Sequence, residues 1–231
     1  YRRSSDTTPQ LQESDPENRF MARGARYRLP SWMIRDQALS VAGLLDPRKG
    51  GPPVNGYQPE GVWEEATFGN KKYTMDDPSK RYRRSLYTFW RRIIAPTMFF
   101  DAASRQTCTV SIKRTNSPLH ALATLNDVTY IEASRALATM AMEQAEEAPD
   151  QKLKWIYRRV LGRPPTVNEQ AIWKESYQRA LRHFSDQPDA RDAWLKQGSQ
   201  RVRDSVDREA LSAWATVCLG ILNLDETLNR E

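Results

Sequence analysis

The stretch Leu161-Gly-Arg-Pro-Pro-Thr-Val-Asn-Glu169 decides the fold. Gly162 suits the left-handed conformation that closes a helix, and Pro164-Pro165 cannot continue one. Thr166 followed by Glu169 is a capping box, in which each side chain satisfies an amide at the start of the next helix. One helix therefore ends and another begins here, predicting helices over 152–161 and 166–184. Downstream, 189–197 reads as a short helix ended by Gly198. Asp207 caps a further helix carrying Leu211, Trp214, Cys218 and Leu222, ending near Asn223. Upstream, Asp127 caps a helix with Tyr130, Ile131, Leu137, Ala138 and Ala141 toward the core. Ser117-Pro118 starts the helix before it, which carries Leu119, Leu122 and Leu125.

The first half is less regular. Asp15-Pro16 predicts a short helix ended by Gly24, and Ser31 a cap for a helix through Leu45, with Ile34, Ala38, Val41 and Leu45 at helical spacing. Over 46–79 the pattern fails, broken by Gly50-Gly-Pro-Pro53, Gly56, Pro59, Gly61, Gly69 and Pro78. Long irregular loops are often functional. The alternative is an arm wrapped over the helices, pinned by Tyr57, Trp63, Phe68 and Tyr73, with Trp63-Glu64-Glu65 as a single helical turn. A helix is expected over 79–94, with Tyr82, Leu86, Phe89 and Ile93 in one stripe, and a short strand over 107–112. The class is mainly α: a compact multi-helix array with a long irregular Gly/Pro-rich arm and at most one or two short strands. Residues 1–115 hold the N-terminal helices, the arm and an Arg/aromatic block, and residues 116–231 a C-terminal helical array. Together they read as one integrated domain cut from a longer parent, since the chain opens at Tyr1 without an initiator Met.

At 231 residues the chain can bury a sizeable core, and seven Trp with nine Tyr oppose a disordered reading. No apolar run approaches the roughly 18 residues of a membrane span. Residues 1–115 carry 20 Lys+Arg against 12 Asp+Glu, and residues 116–231 carry 15 against 17. Arginine outnumbers lysine 26 to 9, which suits planar pairing and stacking on aromatic rings more than generic phosphate binding. Nucleic acid is disfavoured, because no recognised binding motif accompanies the charge.

No motif names a reaction. His120, near Thr115, Asn116 and Asp127, could act as a general base, but a structural histidine is the simpler reading, as is a helix-end cation for His183. Glu64-Glu65, Asp76-Asp77 and Asp101 lack the spacing of a calcium loop or of paired catalytic carboxylates. Cys108 and Cys218 read as two buried thiols rather than a disulfide, and too few ligands stand together for structural zinc. No Cys-x-x-Cys-His haem-attachment motif occurs, so neither catalytic, metal nor cofactor residues are assigned to this chain.

The candidate interaction residues are Arg83, Arg84, Tyr87, Trp90, Arg91, Arg92, Arg105, Arg114 and Asn116, within and after Tyr82-Arg-Arg-Ser-Leu-Tyr-Thr-Phe-Trp-Arg-Arg92. These arginines can pair internally and fix the arm, face another protein, or line a pocket for a sulfated or uronate glycan. A pocket gathering Arg84, Arg92 and Arg114 with Asp101 or Glu65 would favour the glycan. A flat aromatic surface, or these arginines fully paired inside, would favour docking.

The Tyr82-to-Arg92 run, Arg114-Thr-Asn-x-Pro-Leu-x-Ala-Leu, Leu125-Asn-Asp127, Leu161-Gly-Arg-Pro-Pro165 and Leu222-Asn-Leu-Asp-Glu226 resemble a known family. It is the planctomycete-specific C-terminal domain of unknown function (PSD-type) from secreted proteins, often found alongside c-type cytochrome domains. Asp15-Pro-Glu-Asn-Arg19, Met33-Ile-Arg-Asp-Gln-Ala38 and Tyr57-Gln-Pro-Glu-Gly61 match it too. The resemblance implies export to the periplasm or cell surface and an upstream companion domain or separate subunit, with a c-type cytochrome as a candidate. Haem c would then sit on another domain or partner, and no activity is implied. His120 stands where the family usually has Gln, a second basic pair is usual where Ser111-Ile112 stand, and Cys218 replaces a small residue. The resulting expectation is a noncatalytic interaction or scaffold domain of an exported, cytochrome-c-associated protein. Its alternative is an extracellular enzyme or binding module for anionic polysaccharide.

Overall fold

Side-chain caps start four of the helices in the computed structural model, which describes residues 4–91, 94, 99–102, 108, 110–111, 114–145 and 148–230. In chain order the elements are α1 (Pro9–Ser14), β1 (Tyr27–Arg28), α2 (Ser31–Val41), α3 (Val62–Ala66), α4 (Pro78–Arg81), α5 (Pro118–Asn126), α6 (Val128–Gln144) and α7 (Pro149–Leu161). There follow α8 (Val167–Asp186), α9 (Pro188–Leu195), α10 (Arg208–Leu222), α11 (Asp225–Leu228) and β2 (Asn229–Arg230). The protein is mainly helical, with two short strands forming one small antiparallel sheet among the described residues. Tyr27 pairs with Arg230 and Arg28 with Asn229, and the Leu29 amide extends the ladder to the Leu228 carbonyl at 2.9 Å.

The expected caps are in place along the second half. The Asp127 carboxylate accepts from Thr129 N, Thr166 and Glu169 form the reciprocal box, Gly162 closes α7 at φ 74°, and Asp207 accepts from two amides of α10. α6 and α10 supply the centre of the core. Ala133, Leu137, Ala138 and Ala141 of α6 pack in one apolar cluster with Ala215, Val217, Cys218 and Ile221 of α10, all essentially inaccessible. Small alanines let the helix backbones approach, and each buried Leu or Ile contributes roughly 1.5–3 kcal/mol. Gly220 permits α8 to close on α10, since a Cβ there would lie 2.7 Å from the Trp173 ring. The same cluster takes Ile34, Ala38 and Ala42 from the first half.

The first half departs from expectation where side chains capture backbone. The Asp15 carboxylate accepts from Arg19 N and Phe20 N and so holds a turn rather than starting a helix, and Asn18 and Met21 at φ 53° and 52° break the helical path. The helix lies earlier, capped by Thr8. Pro30 stands at the cap position of α2, and Ser31 enters the first turn. The helix expected over 79–94 is reduced to α4 and a single 3-10 turn at Ser85–Tyr87. Arg35 of α2 donates to the Arg81 and Arg83 carbonyls at 2.8 and 3.0 Å, while Asp36 accepts from Ser85 N at 2.8 Å. Beyond the turn, Phe89 N donates to Val54 O and Val54 N to Tyr87 O, so the arm pairs with this segment as a strand would. Backbone groups engaged in this way cannot close helical turns. Leu86 is accordingly exposed and Tyr82 buried, which dissolves the expected stripe. The strand expected over 107–112 falls largely outside the described residues; Cys108, Val110 and Ser111 are not in a strand.

The arm is pinned by Trp63, which stacks on Tyr73 and Phe89 with ring centroids 5.3 and 5.9 Å apart, and by Tyr57, whose hydroxyl donates to Ser199 Oγ at 2.9 Å. Tyr73 OH donates to the Gly56 carbonyl, and desolvation pushes its phenol up to about 12. Phe68, the fourth expected pin, is instead 94% exposed at the left-handed end of α3.

Two charged groups organise the remaining loops. Glu132 of α6 is fully buried, and its Oε1 accepts from Ser199 N, from Gln200 N at 3.0 Å and from Tyr82 OH at 3.1 Å. Gly198 is at φ +80°, and a Cβ there would collide with the Glu132 carboxylate. Arg163 makes paired hydrogen bonds to Glu169, at 2.9 and 2.7 Å, and to Glu226, at 2.8 and 2.5 Å, so the Leu161-to-Pro165 and Leu222-to-Glu226 motifs meet in space.

Glu132→Ala leaves two amides and a phenol without their acceptor, and urea denaturation is expected to show a loss of about 3–5 kcal/mol; a loss below about 1 kcal/mol would remove Glu132 from this role. The Arg163 hydrogen bonds hold the Glu169 carboxyl at about 2, against an ordinary 4.5. That stability is complete above about 4.5 and is lost as pH falls toward about 2. Acid titration of Arg163→Gln should therefore show a weaker fall in stability across that window than the parent, and identical slopes would contradict the linkage.

Candidate functional site

The Arg/aromatic block is positioned from α2. With Arg35 and Asp36 fixing residues 81–85, the side chains that follow are sent to different places. Arg83 is buried, donating to Pro52 O at 3.1 Å, Arg48 O at 3.2 Å and Gly50 O. Its guanidinium lies 3.9 Å over the Tyr87 ring, and the Tyr87 hydroxyl accepts from Gly50 N at 2.7 Å. Arg83 and Tyr87 thus clasp the Gly50-Gly51-Pro52 turn.

The other candidates separate into two zones. Arg84 is exposed. Trp90 is half-buried and meets Phe99 edge-on at 6.3 Å, and the exposed Arg91 lies 5.8 Å over Trp63. Arg114 and Asn116 are exposed before α5, with Arg114 5.1 Å over Tyr27. Arg92 and Arg105 lie outside the described residues. Only part of the gathering that would favour a glycan is present: Arg114 and Asp101 line one cavity with Trp32 and Phe100, and neither Arg84 nor Glu65 joins them.

His120 stacks on Phe100, with centroids 4.2 Å apart, and its Nε2 stands 3.8 Å from Asp101. Asp101 is already occupied, accepting from Thr115 N at 2.6 Å and Thr115 Oγ1 at 2.8 Å. This arrangement braces a wall. Of the two cysteines, Cys218 is buried, with desolvation pushing its thiol up, whereas Cys108 is exposed, so the expectation of two buried thiols holds for one. Among the described residues no group of three His, Cys, Asp or Glu could hold a metal ion, and no helix is long and apolar enough to cross a membrane.

Sequence reasoning missed the α5 surface and the buried polar cluster. Leu119, Leu122 and Leu125 are 73%, 55% and 38% exposed, although their spacing alone assigns them to an ordinary packed face. Tyr57, Tyr82 and Arg81 converge on Ser199 and Glu132, and Arg135 donates to Leu195 O, Gln197 O and Gln200 O at 2.7–2.9 Å. Burial, then the nearby Glu132 carboxylate, push the Tyr82 phenol up.

The model of the family PSD1, protein of unknown function (DUF1553), matches residues 1–177. The chain belongs to that family. The matched part holds α1 to α7, most of α8 and the whole Arg/aromatic block, while α10 lies beyond it. No curated protein and no solved structure matches the chain. The family brings no activity with it.

The clasp has a measurable consequence. A lysine cannot reproduce three carbonyl contacts and a stacked planar face, so Arg83→Lys should raise tryptic cleavage after Arg48 and Lys49 about tenfold, equivalent to about 1.4 kcal/mol of local opening. Unchanged cleavage there would show that the turn is held by something else.

Proposed function

We propose that this chain is a noncatalytic docking domain that holds a partner protein against α5. The observation that carries this reading is the inverted polarity of that helix. At about 100° per residue, Leu119, Leu122 and Leu125 centre on one side, and His120 and Thr124 on the opposite side. Thr124 is buried, donating to Asn223 Oδ1, and His120 packs on Phe100, so the polar side faces inward and the leucines face out. α5 carries no charged residue along its length. A surface helix normally turns its apolar stripe to the core, and contiguous exposed apolar surface marks an interaction site.

The partner chemistry is read from the charge of the N-terminal half and from Arg114 just before α5. Residues 1–115 carry an excess of eight positive charges (20 Lys+Arg less 12 Asp+Glu), and Arg114 stands exposed just before α5. The surface that fits is apolar and rimmed by carboxylates. By family resemblance the partner is an upstream companion domain or a separate subunit of an exported assembly, with a c-type cytochrome as the candidate and any haem c carried there. Arg83 is used internally to hold the arm, which takes it out of both the docking and the glycan readings of the block.

The test is footprinting of the chain alone and in its purified native assembly, with the visible spectrum of the assembly recorded alongside. Carbene labelling at residues 119–125 is expected to fall at least fivefold in the assembly, and Leu122→Asp should release the partner without changing the far-ultraviolet circular dichroism. Equal labelling in both states would overturn the docking reading. A Soret band on the co-purifying chain would identify a cytochrome partner, and a haem-free assembly would remove that assignment.

A further inference from the structure

Trp32 at the start of α2, Phe100 and Arg114 stand around a cavity of about 340 Å³. That is the lower end of the size range of small-molecule sites, roughly 300–1,000 Å³. Its wall mixes aromatic faces with the polar residues Ser31, Asp101 and Ser111. Four features make it more than a surface dent. The Phe100 face is fixed from behind by His120, stacked at 4.2 Å and 16°, and Asp101 is held at φ 57° by its hydrogen bonds to Thr115. Non-glycine residues held in the left-handed region cost of order 1 kcal/mol and concentrate at binding sites. Among the described residues no carboxylate pairs with Arg114, whose guanidinium is steadied by the Tyr27 ring. Ser31 is 1% exposed, and its hydroxyl has no hydrogen-bond partner among the described residues.

The charge balance gives the ligand its sign. Asp101 engages both oxygens with Thr115 and faces His120, whereas among the described residues Arg114 has a ring contact and no carboxylate partner. Arg28 adds a second cation, 6.0 Å over the Phe100 ring. A guanidinium of this kind binds a carboxylate or a sulfate through two parallel hydrogen bonds. The aromatic walls offer apolar faces, and Ser31 and Ser111 offer hydroxyls for a ring that carries hydroxyls of its own. We propose that this cavity binds one anionic sugar ring, with its acidic group on Arg114 and its ring against Trp32 and Phe100. A uronate and a sulfated sugar share that chemistry.

Calorimetric titration of the chain with glucuronate, glucose 6-sulfate, glucose and benzoate tests this, with Trp fluorescence as a second readout. At least one of the two anionic sugars is expected to bind tenfold or more tighter than glucose, and the stronger of the two identifies the acidic group. Arg114→Gln, at an exposed position, should weaken that ligand at least tenfold while leaving the circular dichroism unchanged. Binding equal to that of glucose, binding unaffected by Arg114→Gln, or no saturable binding by either anionic sugar would each overturn the proposal. Benzoate binding as tightly as the better anionic sugar would overturn its sugar component. The titration needs no partner protein, so its failure leaves the docking reading standing, and the reverse also holds.

Discussion

The structure depends on how a long run of irregular backbone finds hydrogen bonds away from water. Buried amides and carbonyls must be paired, and the arm has few ladder or helix partners of its own. The helices supply them through charged side chains. Arg35 serves the carbonyls of Arg81 and Arg83, and Arg83 in turn serves those of Arg48, Gly50 and Pro52. From the other side, Glu132 and Arg135 of α6 organise residues 195–200, and Ser199 there receives Tyr57 from the arm and Arg81 from α4. Each link is a hydrogen bond to an ionised group or to a loop fixed by one. Such bonds contribute about 1.5–3 kcal/mol apiece, and more is lost when one partner is left buried alone.

This explains the arginine excess better than ion pairing does. Arg35, Arg83 and Arg135 each collect several carbonyls, and Arg163 collects two carboxylates in parallel. A planar fork with five donors can do this from one position, whereas an ammonium presents a single compact charge. Burial pushes the guanidinium of Arg35 down, and the adjacent Asp36 opposes that shift. Its carbonyl partners provide the solvation that water would have given.

The same constraint separates what was legible in the sequence from what was not. Helices α5 to α10 could be read because their ends are local: a capping Asp127, the Thr166 and Glu169 pair, Gly162, Asp207. The mainly α class follows from those ends together with the helical spacing of the apolar residues between them. The segment after Ser79 has real helical periodicity, yet its backbone is held by Arg35 and Asp36, more than forty residues earlier. No local pattern announces such a capture. Glu132 and Arg135, one turn apart on α6, have the spacing of a solvated ion pair and instead line the inside. The candidate interaction residues were found as a composition and scattered as a structure: Arg83 and Tyr87 to the clasp, Trp90 and Arg91 to aromatic neighbours, Arg114 to the cavity. Gly198 offered a usable signal, because a left-handed glycine at a helix end marks a turn that α6 can approach closely.

α5 shows why its outward face cannot be dismissed as loose packing. Turning the helix about its axis to bury the leucines would expose Thr124, break its contact with Asn223 and pull His120 off Phe100. Those two inward contacts also support the cavity wall, since Phe100 carries Asp101 beside it and Asp101 holds Thr115 just ahead of the helix. The orientation of α5 is therefore set by polar contacts to the rest of the chain, against its own apolar preference. A leucine left in water forgoes up to roughly 2 kcal/mol of burial, and three on one charge-free helix are a sustained cost to an isolated fold. Covering them with a second protein offsets that cost while leaving the inward contacts intact. The helix thus bears on both proposals from opposite faces: His120 stiffens the cavity wall on the inside, and the leucines form the face proposed for a partner on the outside.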